Sequence, residues 1–430
     1  MTGRHGPLIA AIVAVMVLSA CRKELDSEAP LITILQPSDG VVVQVPDTLR
    51  IELEVRDNVQ LSSVSASLTD DQGVPLSGNV TRSLSGTYAR LSLSLPVTDE
   101  TLSGGSLTLT VRANDGRNDG RAFRPVSVVP APLRRLAILL APAPGSTGTV
   151  FRFDPSTGSE AWHGPADIGP LLAVGSEVFL AGSDQGDLQR RSYDGNWSTL
   201  ATNGTPATSE RPFFRGLGHA LLDDRIYAGM DDGRVAGYLR SGNQVFNGWS
   251  FPGTVSHALL PLADRVVSGA FDEVGNAWRL TEHAYVSGDA LTWRPLDHAC
   301  IALRSAGGER VLSFGNGNGA MAIRSIYMVQ GGTISEADVP GIVLYDVVST
   351  SGGDHFLATS NGIKRYRTST GLTDLADAGA VQSIAYDDAT GSLWALMDGQ
   401  IKQMSPTNGD VLGSWTAPAG MAQVEVVLNR

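Results

Sequence analysis

Only 2 cysteines occur in 430 residues, and just 18% of the chain is Asp, Glu, Lys or Arg. So few thiols supply no disulfide framework, and stability must come from apolar cores. A chain of this length is long enough for about two to three domains. Lys and Arg nowhere form a run, and the formal net charge is −12. That balance excludes a nucleic-acid partner, because phosphate binding needs a basic stripe. The apolar run Leu8–Leu18 is too short to cross a bilayer, which takes roughly 20 residues. Neither G-x-S-x-G nor H-E-x-x-H is present, so no local catalytic signature exists. What is abundant is glycine, 49 residues, with Val, Ser and Thr recurring in short runs. That mixture predicts many short strands joined by tight turns.

The first residues have the three parts of a secretory signal: Arg4, the apolar run Leu8–Leu18, and the small pair Ser19-Ala20. Leu18-Ser19-Ala20-Cys21 resembles the bacterial lipobox. The resemblance implies cleavage before Cys21 and lipidation of its thiol, with 1–20 as the signal peptide and 21–29 as a lipidated tether. Arg22 follows the cysteine where an inner-membrane retention signal has aspartate, which points to the outer membrane. Cys300, in "HACIAL", is then left without a partner, and the expectation is a small buried hydrophobe on a strand.

Residues 30–131 alternate with a period of two. In "TLRIELEVRD" Leu49, Ile51, Leu53 and Val55 face a core while Arg50, Glu52, Glu54 and Arg56 face water. "SLTLTVRANDG" repeats the pattern with Leu107, Leu109, Val111 and Ala113 inward. About seven such strands in roughly 100 residues describe a β-sandwich. "LEVRDN" and "LTVRANDGRNDGRAF" resemble bacterial immunoglobulin-like and cadherin-like modules. Some relatives bind calcium through such aspartates. Here Asp57, Asp115 and Asp119 lack the spacing of a cage of six to eight oxygens and read as turn formers. The module is expected to be a spacer.

Residues 132–430 repeat. "GHALLDDRIYAGMDDGRVAGYLRSGNQVFNGWSFP" and "SHALLPLADRVVSGAFDEVGNAWRLTEHAYVSGDALTWRPL" share one order of apolar runs and turns. A landmark in the second strand runs through Gly182, Gly229, Gly269, Phe314, Thr359 and Leu396, in steps of 47, 40, 45, 45 and 37 residues. Four strands per 40–45 residues is the period of a β-propeller blade. Trp162, Trp197, Trp249, Trp293 and Trp415 fall in the last strands, where an aromatic packs on the neighbouring unit. Residues 134–164 supply three strands and 422–430 one. Joined, they complete a seven-bladed ring closed by its own two ends, with a six-bladed ring as the alternative. "FDPSTGSEAW" resembles the turn of quinoprotein-like propeller repeats. "SYDGNW" and "SGDALTW" are similar to degenerate Asp-boxes of sialidase-like propellers. These turns are structural in both families and imply no activity.

The candidate site also comes from the repeats. His219, His257 and His298 head the first strands of three successive units in "GHALL", "SHALL" and "DHACI", and first strands line a propeller's channel. Three converging imidazoles suit a metal. The competing reading is repeat divergence around a hydrogen-bonding residue. "GNGNG" (315–319) and Asp231-Asp232 read as turns. No cofactor is expected. The expected function is non-catalytic binding of protein or glycan on the propeller face of a membrane-anchored envelope protein. The alternatives are a glycan-active hydrolase or lyase on the same scaffold, and a scaffold lipoprotein of outer-membrane assembly.

Overall fold

Period-two alternation becomes strand and core in the first of two compact units, Met1–Pro132 and Leu133–Arg430. The computed structural model describes residues 26–76, 78–102, 104–182, 187–202, 214–220, 224–249 and 253–430. The expected signal peptide, 1–20, and Cys21 lie outside the described residues. Among the described residues no helix is long and apolar enough to cross a membrane.

The first unit has β1 (Leu31–Gln36), β2 (Val41–Gln44), β3 (Asp47–Arg56), β4 (Ser63–Thr69), β5 (Val80–Ser83), β6 (Tyr88–Val97), β7 (Gly105–Asn114) and β8 (Asp119–Val129). They form a three-stranded sheet, β1-β3-β6, and a five-stranded sheet, β2-β8-β7-β4-β5. All pairs are antiparallel except β2 with β8. Both sheets turn their apolar faces to one core, with Ile51, Leu53 and Val55 from one sheet against Val64, Leu109 and Val111 from the other. Burying these side chains stabilises each by about 1.5–3 kcal/mol relative to exposure.

The second unit contains, among the described residues, seven four-stranded antiparallel sheets. Six are simple meanders of consecutive strands, beginning at Leu171, Phe214, Thr254, Ala299, Leu344 and Val381. Turns in the unit are set by residues suited to them. In "FDPSTG" the Asp154 carboxylate accepts the Ser156 N–H at 2.7 Å, and Gly158 takes φ +86°. The remaining sheet combines three strands from the start, Arg135–Pro142, Ser146–Asp154 and Gly158–Ile168, with Met421–Leu428 from the end. Leu140 stands opposite Val424 and Ile138 opposite Val426. Gln423 clasps the junction. Its amide donates to Pro142 O at 2.7 Å and Gly169 O at 3.2 Å, and its oxygen accepts the Leu171 N–H.

The first strand of each meander touches the first strand of the next, and Met421–Leu428 touches both Leu171–Val174 and Val381–Asp387. The innermost strands therefore run in a closed circle, and the unit is a propeller-type ring. A separate apolar cluster fills each seam between neighbouring sheets, seven in all among the described residues. Of the five tryptophans assigned to outer strands, Trp162 and Trp197 meet edge to face at 5.3 Å, and Trp415 packs on Phe153 and Trp394. Trp249 and Trp293 do not join a seam. They are 54% and 43% exposed, and the Trp293 ring is covered in part by the Arg279 guanidinium at 4.3 Å.

Candidate functional site

Six of the seven innermost strands carry the same irregularity. The ladder to the second strand skips Arg215, His257, Ile301, Tyr345, Gln382 and Ala422 in turn. A β-bulge leaves one residue unpaired and re-aims its side chain. All six line a single cavity of about 370 Å3, the lumen of the ring, and Leu171 of the remaining innermost strand completes the wall.

Besides Arg215, the ionisable side chains of Arg304, Asp346 and Glu425 line the same cavity. Arg304 is tied down, its Nε donating to Ser349 Oγ at 3.1 Å and its terminal nitrogens to Leu303 O and Val347 O. Asp346 is capped by the Val347 N–H at 2.7 Å, the Ser383 hydroxyl at 2.7 Å and the Ile384 N–H at 3.1 Å. Glu425 makes no side-chain hydrogen bond among the described residues. Burial in the lumen, reinforced by the Asp346 charge and only partly offset by Arg304, pushes its carboxyl up to about 8. His257 is pushed down to about 4 by burial and by Arg215, and its ring leans on Trp278 at 4.9 Å. At neutral pH both groups are therefore uncharged.

The histidine trio does not share one position. His257 is a bulge residue, but the residues equivalent to it in the flanking sheets are Arg215 and Ile301. His219 lies four residues beyond its bulge, opposite Ile226, and bonds Asp224 at 3.1 Å. His298 precedes its strand, Ala299–Ser305. Among the described residues the three imidazoles do not come within shared-ligand distance. The likeness of "GHALL" to "SHALL" is a shift in register along the strand, so local similarity aligned residues that the ladder does not.

His298 has a different arrangement. Its Nδ1 is 2.9 Å from Asp297 Oδ1 and its Nε2 is 2.8 Å from Ser313 Oγ. This is the connectivity of a nucleophilic triad. Ser313 and His298 are buried, however, and Ser313 also lies 3.5 Å from the Cys300 thiol. A hydroxyl that no substrate reaches is a brace between strands. Cys300 is itself 2% exposed, and burial raises its thiol to about 12. It packs against Gly269, where an added Cβ would meet Sγ at 2.4 Å. Of the run 315–319, the first three residues end the strand Arg310–Gly317, and Asn318 and Gly319, both at positive φ, make the hairpin turn into Ala320–Tyr327. Asp232 binds Arg234, also in a turn.

In the first unit the carboxylates of Asp57 and Asp115 meet that of Asp26, with ligand atoms within 4.8 Å of one another. The spacing in sequence gave no sign of this, because Asp26 comes from the segment before β1. Both aspartates also form their turns. Asp57 Oδ1 accepts the Val59 and Gln60 N–H groups, and Asp115 Oδ1 those of Arg117 and Asn118. Asp119 stands apart, paired with Arg112 at 2.5 Å.

No family model matches the chain, and no curated protein matches it. Among solved structures, a quinoprotein alcohol dehydrogenase-like protein from Bacteroides thetaiotaomicron is similar over 93% of this chain and 99% of its own, at 13% identity and a TM-score of 0.48. A chain of a nidogen/laminin complex is similar over 68% and 99%, at 11% identity and a TM-score of 0.43. Sqt1 of Saccharomyces cerevisiae is similar over 67% and 88%, at 13% identity and a TM-score of 0.45. At these values the architecture rests on the strand pairing of this chain.

Proposed function

We propose that this is a lipid-anchored envelope protein that binds a protein or glycan, without turnover, at the lumen of a seven-bladed propeller. In this reading Cys21 carries the lipid after removal of 1–20 and holds the chain at the outer membrane. Residues 30–131 are an immunoglobulin-like spacer, and 132–430 form the propeller. One observation carries the binding role: six different innermost strands each re-aim a bulge residue into one cavity. Side chains gathered from many loops and strands on a rigid scaffold suit recognition. The hydrolase or lyase alternative needs an acid/base pair open to the lumen. Asp346 has both oxygens occupied by hydrogen-bond donors, and the triad-like serine is buried.

The test is a glycan array combined with affinity capture from envelope extracts, followed by mass spectrometry of any captured glycan. Retention of an unaltered glycan or of a defined protein is expected. A glycan returned cleaved would replace the binding reading with the enzymatic one, and selective capture of barrel-assembly proteins would favour the scaffold. For the anchor, Cys21→Ser should leave the chain in the soluble fraction.

A further inference from the structure

We infer that the lumen takes a sugar acid: one hexose-sized unit whose carboxylate lies by Arg304 and Glu425 and whose ring rests on Tyr345. This rests on the lumen being the binding site, and it names the ligand class. Size comes first. A cavity of about 370 Å3 is at the small end of the ~300–1,000 Å3 typical of ligand pockets, room for a monosaccharide unit.

Charge decides the sign of the ligand. Arg215 and Arg304 both line the cavity, so a cationic ligand would meet two guanidinium groups. An anion would meet Asp346, but both oxygens of that carboxylate already accept hydrogen bonds. Of the two lumen carboxyls, Glu425 is the one without a side-chain hydrogen bond among the described residues. The titratable and charged groups around it are Asp346 and Tyr345 from Leu344–Ser349, Arg304, Arg215 and His257, contributed by four other innermost strands. Held neutral up to about pH 8 by burial and by Asp346, Glu425 offers an O–H that a ligand carboxylate accepts. Such charge-assisted bonds are the strong ones.

The rest of the wall suits a hydroxylated ring. Tyr345 is 45% exposed and supplies an aromatic face with a polar tip. Gln382 is exposed beside it, and its amide both donates and accepts, as sugar hydroxyls require.

The experiment is titration calorimetry of the full mature chain with D-glucuronate, D-glucose and D-glucosamine, at about pH 6.5 and about pH 9.5. Glucuronate should bind about tenfold or more tightly than glucose at the lower pH, which is about 1.4 kcal/mol or more, with glucosamine weaker still. Its affinity should fall at the higher pH as Glu425 ionises and repels the carboxylate. Glu425→Gln, an uncharged mimic of the protonated acid, should flatten that pH profile, and Tyr345→Ala should weaken glucuronate at both pH values. A melting curve checks that each variant is folded. Equal binding of glucose and glucuronate, preference for glucosamine, or no binding of any probe overturns the inference. So does a pH profile that Glu425→Gln leaves unaltered. If glucuronate fails while the array or the capture returns another ligand, the sugar-acid assignment falls and the binding reading stands.

Discussion

The two units reach stability by different routes. The first has one continuous core between two sheets, to which Ile51, Leu53, Val64 and Val111 all contribute. The second has none at its centre. Its apolar contacts are divided among seven seams, and its middle is a cavity whose wall mixes apolar residues such as Leu171 and Ile301 with polar and charged ones. A sandwich uses up its inner faces in packing. A ring buries its sheet faces against one another and leaves the innermost edges to line an opening. The difference explains why the candidate site lies in the ring, and it makes closure a condition for every seam.

Removing Ala422–Arg430 gives the largest expected effect. It strips the fourth strand from the sheet that joins the two ends and empties part of the seam around Trp394. Calorimetry should show the ring's cooperative transition lost while the sandwich transition survives. Next come single core truncations. Trp394→Ala should cost the ring about 3–5 kcal/mol, and Leu53→Ala should cost the sandwich about 2–5 kcal/mol. Urea unfolding should assign each loss to its own transition, and a shared loss would break the comparison.

A smaller effect comes from pH. Glu425 holds its proton in the folded ring up to about 8, whereas its ordinary value is 4.5. Between these values the folded state binds more protons than the unfolded chain, so this group lowers stability progressively as pH rises through the window. Glu425→Gln should therefore melt above the parent at about pH 9, with the gap closing toward about pH 4. A gap that widens on acidification would reverse the sign. Smallest of all is Trp249→Ala. Its side chain is largely exposed, so the change in stability should stay within about 0.5 kcal/mol. A loss near that of Trp394→Ala would place Trp249 in a seam after all.

Much of this was legible in the sequence because strand periodicity is a strong signal. The inward set Leu49, Ile51, Leu53 and Val55 is buried as the alternation requires. The landmarks Gly229, Gly269, Phe314 and Leu396 stand opposite the residues just after each bulge; Thr359 is one residue late, since Ala358 holds that place, and Gly182 falls just past its strand, Glu177–Ala181. Second strands are regular, so their spacing survives divergence. Six of the seven innermost strands contain an unpaired residue, which breaks the alignment there: His219 and His298 match His257 in local sequence, although Arg215 and Ile301 are its counterparts. The bulge residues differ in type from sheet to sheet, so no motif marks them. Asp26 near Asp57 and Asp115 was equally hidden, since chain entry, not local spacing, brings it there. Trp249 and Trp293 show the limit of composition, because an outer strand has a free side as well as a packed one.

Amide hydrogen exchange of the full chain tests ring closure most directly. Peptides covering Met421–Leu428 should exchange as slowly as those covering Arg135–Pro142, and the two should lose protection together as denaturant is added. Rapid exchange across 421–428 while 135–142 stays protected would mean that the ends do not pair, and the closed lumen would go with them.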